Sequence, residues 1–141
     1  MASLSLGLGS ATRRVVGPAC MRSRLMTTTK LSQGSLGAIA SKGIDVPSYA
    51  RASLAEEPAI VHLGVGGFHR SHMALYTCEA LRSQEVGGWA ICGVGTMPGD
   101  SVMRDALAGQ DNLYTVLSRG SDTNEARVCG AIVKFLLAPE D

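Results

Sequence analysis

The chain has 141 residues, 45% hydrophobic and 18% charged, with a formal net charge of +1. That length fits one domain with a tail, and the near-neutral charge argues against any general affinity for nucleic acid. No uncharged apolar run approaches the roughly 18 residues that span a membrane, aromatics at 4% leave the core to Leu, Val, Ile, Ala and Met, and oligomeric state stays open.

The charge is unevenly spread. Residues 1–44 hold Arg13, Arg14, Arg22, Arg24, Lys30 and Lys42 and no acid, so all 12 acids lie beyond them. Residues 1–25 are set apart as a basic extension. Its Ser, Thr and Arg content fits an organelle transit peptide, which would direct the chain to mitochondria or plastids. A disordered tail or a misplaced start fits equally, with Met26 as second initiator and a cytoplasmic location. A secretory signal fits poorly, since no basic segment precedes the apolar letters. Residues 26–58 are read as a lead-in, with weak helical character in "SYARASLAEEP" at 48–58.

The remainder, 59–141, reads as one alternating pattern. The short apolar run "AIVHL" at 59–63, bounded by glycine, suits a buried strand. From Phe68 the chain lacks Gly and Pro for about seventeen residues, which predicts a helix ended by Gly87-Gly88. Its expected apolar face carries Phe68, His72, Leu75 and Tyr76, with Ala74, Cys78 and Leu81 beside it. A second buried strand follows at "WAICGV", 89–94. Asp100 or Ser101 then caps a short helix through Leu107. "LYTVLSR" and "ARVCGAIVKFLL" are β-rich, and the polar "GSDTNE" between them predicts a hairpin. Cys20, Cys78, Cys92 and Cys129 show no CxxC pair, so structural zinc is not expected. They read as reduced thiols of an intracellular protein, three of them in apolar context.

Strand, glycine turn, helix and strand make a βαβ unit, the building block of a parallel sheet. In such a unit the first glycine permits the tight turn, and the second admits a pyrophosphate to the backbone. Unpaired N–H groups and the helix dipole then face the phosphates. Gly64 and Gly66 fill those roles within the turn Gly64-Val65-Gly66-Gly67. Position 69, where a third glycine is usual, holds His69. Gly93-Val94-Gly95 is a rival turn, but Pro98 and Gly99 delay the helix after it. Asp100 is the first acid beyond the second strand, 36 residues from Gly64 against a norm of about 20. Arg70 fits either a phosphate or carboxylate contact or a solvated surface position. Asp100 and Arg104 can pair as i, i+4 neighbours. His69 and His72 share a helix face without a local third ligand, so no metal is expected. His62 reads as a buried, hydrogen-bonded strand residue.

The run "IVHLGVGGFHRSH", followed by "WAICGVGTMPGD", "MRDALAGQDNLYTV" and "RVCGAI", resembles the N-terminal domain of the mannitol dehydrogenase family over roughly residues 30–141. The family fingerprint, GxGxFHRxH, has Phe-His-Arg where the third glycine would stand. The resemblance implies an α/β fold: a Rossmann-type parallel βαβ sheet, incomplete here, with a C-terminal β-hairpin. It also implies a cofactor-binding set of Gly64, Val65, Gly66, Gly67, Phe68 and Arg70 in the turn, with Asp100 on the adenosine ribose. NAD is the expected cofactor in preference to NADP, whose 2′-phosphate Asp100 would repel. Gly99 stands where the family often has a further acid, which weakens that discrimination.

The implied reaction interconverts a polyol and a 2-ketose, with a hexuronate (fructuronate or tagaturonate) reductase as the alternative. The family's metal-independent base is a lysine beside asparagine and histidine, all in its C-terminal domain. After His72 there is no histidine here, and after Lys42 the only lysine is Lys134. The sequence is therefore read as an N-terminal piece that binds cofactor and supplies no catalytic residue, or as a truncated nucleotide-binding protein.

Overall fold

The computed structural model describes residues 28–83, 88–138 and 140. The basic extension, Cys20, Met26 and Gly87 lie outside the described residues. After a 3-10 turn at Gln33–Ser35 come α1 (Leu36–Ala40), α2 (Arg51–Glu56), β1 (Ile60–Leu63), α3 (Gly67–Ser71), α4 (Met73–Ser83) and β2 (Ile91–Gly95). A second 3-10 turn at Pro98–Asp100 leads to α5 (Ser101–Ala108), β3 (Tyr114–Arg119), β4 (Asn124–Cys129) and β5 (Ile132–Leu137).

Two sheets result. β1, β2 and β5 form a parallel sheet in the order β1-β2-β5, and β3 pairs antiparallel with β4. The expected α/β architecture with a parallel βαβ unit and a hairpin is therefore present. In detail, Asn124 and Glu125, expected in the hairpin connection, pair with Arg119 and Ser118 as the start of β4, and "ARVCGAIVKFLL" divides between the sheets. β4 ends at Cys129, and β5 begins at Ile132 as the neighbour of β2.

Arg51 explains the division. Its side chain, 8% exposed, donates to the carbonyls of Gly130 (2.9 Å), Ile132 (3.2 Å) and Asp111 (2.8 Å) and to Gln33 Oε1 (2.9 Å). A Cβ at position 130 would lie 2.7 Å from Arg51 Nε and 2.9 Å from Pro47 Cγ. Only glycine lets the chain pass between the two sheets this close to the guanidinium.

The helix expected from Phe68 is bent at His72, whose backbone (φ −122°, ψ −88°) leaves the helical region. Hydrogen bonds from His72 N–H to the Phe68 carbonyl (3.1 Å) and from Tyr76 N–H to the His72 carbonyl (2.9 Å) carry the ladder across the bend. His72 Nδ1 also lies 3.0 Å from the Phe68 carbonyl, and a side chain entering the ladder is an ordinary cause of a kink. The bend alters the buried face. Ala74, Cys78 and Leu81 are buried, at i, i+4 and i+7, while Phe68 and Tyr76 are 78% and 64% exposed.

The main core joins Ala74, Cys78 and Leu81 of α4 to Ile91 of β2, Ile132 of β5, Leu107 of α5 and Tyr114 and Cys129 of the hairpin. Leu36 and Ile39 of α1 pack on Leu113 and Val128, which ties the lead-in to the hairpin. Val61 and Leu63 on the other face of β1 are 67% and 70% exposed. Cys78, Cys92 and Cys129 are free and buried. Among the described residues no helix is long and apolar enough to cross a membrane.

Removing the Arg51 guanidinium would leave three main-chain carbonyls without their charged donor. Arg51→Met is expected to lower unfolding free energy by roughly 3 kcal/mol in urea titration, the scale of buried hydrogen bonds to a charge. A loss below about 0.5 kcal/mol would show that water replaces the clamp.

Candidate functional site

The carboxyl ends of β1 and β2 carry the glycine turn and Asp100 to one edge of the parallel sheet, where ligands bind in open α/β sheets. Gly64 adopts φ +85°, a conformation that disfavours any side chain, and turns the chain off β1. Its N–H still donates to the Val94 carbonyl at 2.7 Å, so the turn starts while bonded to β2. Val65 is 5% exposed and points into the core. Beneath it lies Gly93, where a Cβ would approach Val65 Cγ2 to 2.5 Å. The rival glycine pair thus has a packing role: Gly93 receives Val65 and Gly95 receives Asp100, whose Cβ would be 2.7 Å from a Cβ at position 95.

Gly66 forms the N-cap of α3 with φ −70° and ψ 176°, and Gly67 is its first residue. A Cβ on either would meet no heavy atom within 4 Å, so open space faces the turn. N–H groups at such a helix start have no intrahelical acceptor, and they carry the positive end of the helix dipole. The residues present therefore fit an anionic group such as a pyrophosphate.

Phe68 projects outward and stacks on His72, ring centroids 4.2 Å apart. Arg70 folds back on the turn: Nη1 donates to the Val65 carbonyl at 2.8 Å and lies 2.8 Å from Met103 Sδ. The Arg70 carbonyl accepts from the Tyr114 hydroxyl at 2.8 Å, which anchors the hairpin to α3. Asp100 Oδ2 accepts the N–H groups of Thr96 (2.9 Å) and Met97 (3.0 Å), which fixes the loop after β2. Arg104 pairs with Asp105 and Glu140 instead of Asp100.

Val65, Gly66, Asp100, Met103 and Phe135 line a cleft of about 90 Å³, so the turn and the acid share one seat. It is small beside enclosed ligand pockets, which hold roughly 300 Å³ or more. A larger cavity, about 430 Å³, lies at the opposite end of β5, beside Arg51, Asp111 and Asn112. The Arg51 clamp occupies that end, and the strand ends with open backbone are at the turn.

His62 and His69 were legible as residues but not as a pair. His69 is 6% exposed and its ring stacks on His62, with centroids 3.7 Å apart and planes 23° from parallel. Neither His69 ring nitrogen has a hydrogen-bond partner among the described residues. Burial, then His62, then Arg70 push its pKa down to about 4, so the ring is neutral. His62 Nδ1 is 2.8 Å from the Gly64 carbonyl. The hydrogen-bonded strand residue expected from the sequence is therefore present, half-buried, with the Gly64 carbonyl as its partner. Among the described residues no group of three or more His, Cys, Asp or Glu could hold a metal ion.

The order β5-β2-β1, with a glycine turn after β1 and an acid beyond β2, defines the class: the first mononucleotide half of a doubly wound, dinucleotide-type sheet. The chain belongs to the mannitol dehydrogenase family, since residues 58–140 match the model of the mannitol dehydrogenase Rossmann domain. It is 48% identical over 119 residues to mannitol 2-dehydrogenase of Aspergillus clavatus, covering 82% of this chain and 24% of that one. The corresponding enzyme of Pyricularia oryzae is 49% identical over 106 residues, covering 75% and 21%. Among solved structures, Pseudomonas fluorescens mannitol 2-dehydrogenase in ternary complex with NAD and D-mannitol matches with TM-score 0.74 and 41% identity, over 80% of this chain and 23% of that one. A substrate-free D-sorbitol dehydrogenase matches with TM-score 0.67 and 32% identity, over 79% and 22%. The chain thus spans about a quarter of the length of these relatives.

The stacked pair makes the site acid-sensitive. Folded His69 protonates near 4, against 6.5 for a free side chain. Between those values the unfolded chain binds more protons, so this contribution to stability is full above pH 6.5 and is lost as pH falls toward 4. Urea unfolding at about pH 7 and about pH 4.5 should show a smaller acid loss for His69→Phe than for the parent chain. Equal losses would remove His69 as a source of the pH dependence.

Proposed function

We propose that this chain is the NAD-binding N-terminal part of a polyol dehydrogenase of the mannitol 2-dehydrogenase type, whose whole-protein reaction interconverts a polyol and a 2-ketose. The observation that carries the reading is the open turn at Gly66, aligned with Asp100 across one cleft. The N–H groups at the start of α3 bind the pyrophosphate, and the bare backbone at Gly66 and Gly67 lets it approach. Asp100 takes the adenosine ribose and disfavours a 2′-phosphate by charge. Phe68 covers the outer side of the turn with an apolar ring. Arg70 acts through the turn, holding the Val65 carbonyl. NAD, when bound, supplies the hydride acceptor. The substrate, a polyol or its ketose, and the base that takes its proton belong to the three quarters of the relatives' length outside this chain. Polyol names among the matched relatives favour this reading over the hexuronate alternative. For residues 1–25 we propose an organelle address, supported by their four arginines and absence of acidic residues.

Gly66→Val tests the turn. The added side chain meets no protein atom at its Cβ, so the thermal midpoint should hold while calorimetric NAD binding falls at least about a hundredfold. Unchanged affinity would overturn the assignment. Asp100→Asn keeps an acceptor for Thr96 and Met97 and removes the charge. It should raise NADP affinity relative to NAD roughly tenfold, and an unaltered ratio would take Asp100 out of the ribose site. A fluorescent fusion of residues 1–44 should collect in an organelle; a diffuse cytosolic signal would reject the address.

A further inference from the structure

The turn is held from behind by two side chains, one on each of its first two peptide units. His62 Nδ1 lies 2.8 Å from the carbonyl of Gly64, and Arg70 Nη1 donates to the carbonyl of Val65 at 2.8 Å. A carbonyl only accepts, so the first contact requires the proton on Nδ1 of His62. In a planar trans peptide the C=O and the following N–H point to opposite sides. Drawing the Gly64 carbonyl toward His62 therefore turns the Val65 N–H the other way. Drawing the Val65 carbonyl toward Arg70 does the same for the N–H of Gly66.

His69 fixes the tool that does this. Its ring lies flat on His62 at 3.7 Å and is buried between β1 and α3. A flat ring presents only its thickness to the strand, so the helix keeps a close approach without the third glycine. The stack also stops the His62 side chain from leaving the Gly64 carbonyl.

We infer that His62 is a positioning residue for the phosphate-binding turn: its Nδ1–H, locked by the His69 stack, presets the Gly64–Val65 peptide so that the turn's N–H groups are already aimed when an anionic cofactor arrives. A preset donor costs no reorganisation on binding, which is why the effect appears in affinity. The inference rests on the cofactor reading above, and the test keeps the two apart.

Asn and Leu have nearly the same shape, and only Asn has an N–H near the place of imidazole Nδ1. His62→Asn and His62→Leu both lose the ring stack, and only the amide of Asn can donate to the Gly64 carbonyl. The measurements are NAD binding by calorimetry on the full chain at neutral pH and the thermal midpoint of each variant. His62→Leu should bind NAD roughly five- to tenfold more weakly than His62→Asn, with His62→Asn the nearer to the parent and similar midpoints for the two. Equal NAD affinity of the two variants, with the parent binding, overturns the role of His62 and leaves the cofactor reading intact. If the parent itself does not bind NAD, the cofactor reading fails and this inference with it. If His62→Leu does not fold, amide exchange at Val65 and Gly66 in His62→Asn and His62→Gln, whose amide reaches toward the Nε2 position, reads the same donor. Faster exchange in Gln than in Asn supports the role, and equal exchange overturns it.

Discussion

Val65 lies on the bare backbone of Gly93, and the geometry of the turn edge of the sheet depends on that contact. A methyl group at position 93 would come within 2.5 Å of Val65 Cγ2, so any other residue would lift the turn away from the sheet. With the turn seated, Gly64 can bond to Val94 while already in the left-handed region, and α3 starts directly over the ends of the strands. The same logic repeats one step along β2, where Gly95 admits Asp100. Two glycines of the second strand thus set the height of the glycine turn and the position of the acid. Their sequence resemblance to a second phosphate loop is a by-product of that packing.

A dinucleotide turn normally relies on small residues to bring helix and strand together. Here two imidazoles face each other at stacking distance in that space. Imidazole is thin in one direction and carries a hydrogen-bond donor in the plane, so it can both permit close packing and hold a main-chain carbonyl. The arrangement requires both rings to be compatible with burial, and the depressed basicity of His69 follows from it. Arg70, next in sequence, adds a positive charge nearby but directs it at the Val65 carbonyl.

Behind the sheet, Arg51 does for the opposite end what the glycines do for the end that carries the turn. Its guanidinium gathers the carbonyls of Gly130, Ile132 and Asp111, which joins α2, the turn after α5 and the link into β5. That clamp explains why one apolar run becomes two strands in two sheets. Hydrophobic periodicity does not register it, because Cys129, Ala131 and Ile132 are all buried and the break is made by a glycine beside a charge. The bend at His72 was equally hidden. A stretch of good helix formers predicts a straight helix, and only the placement of the ring against the Phe68 carbonyl reveals the change of face.

The sequence by itself determined the order of strand, glycine turn, helix and strand, the hairpin, and the residues gathered near the turn. These follow from local rules: apolar runs bounded by glycine, backbone freedom at Gly64, and the turn chemistry of "GSDTNE". What tertiary structure decided was which groups meet. The His62–His69 stack, the seat of Val65 on Gly93 and the Arg51 clamp all join residues whose partners are set by three-dimensional approach. Such contacts depend on ångström-scale distances between elements, and hydrophobic patterning encodes only which face of each element turns inward.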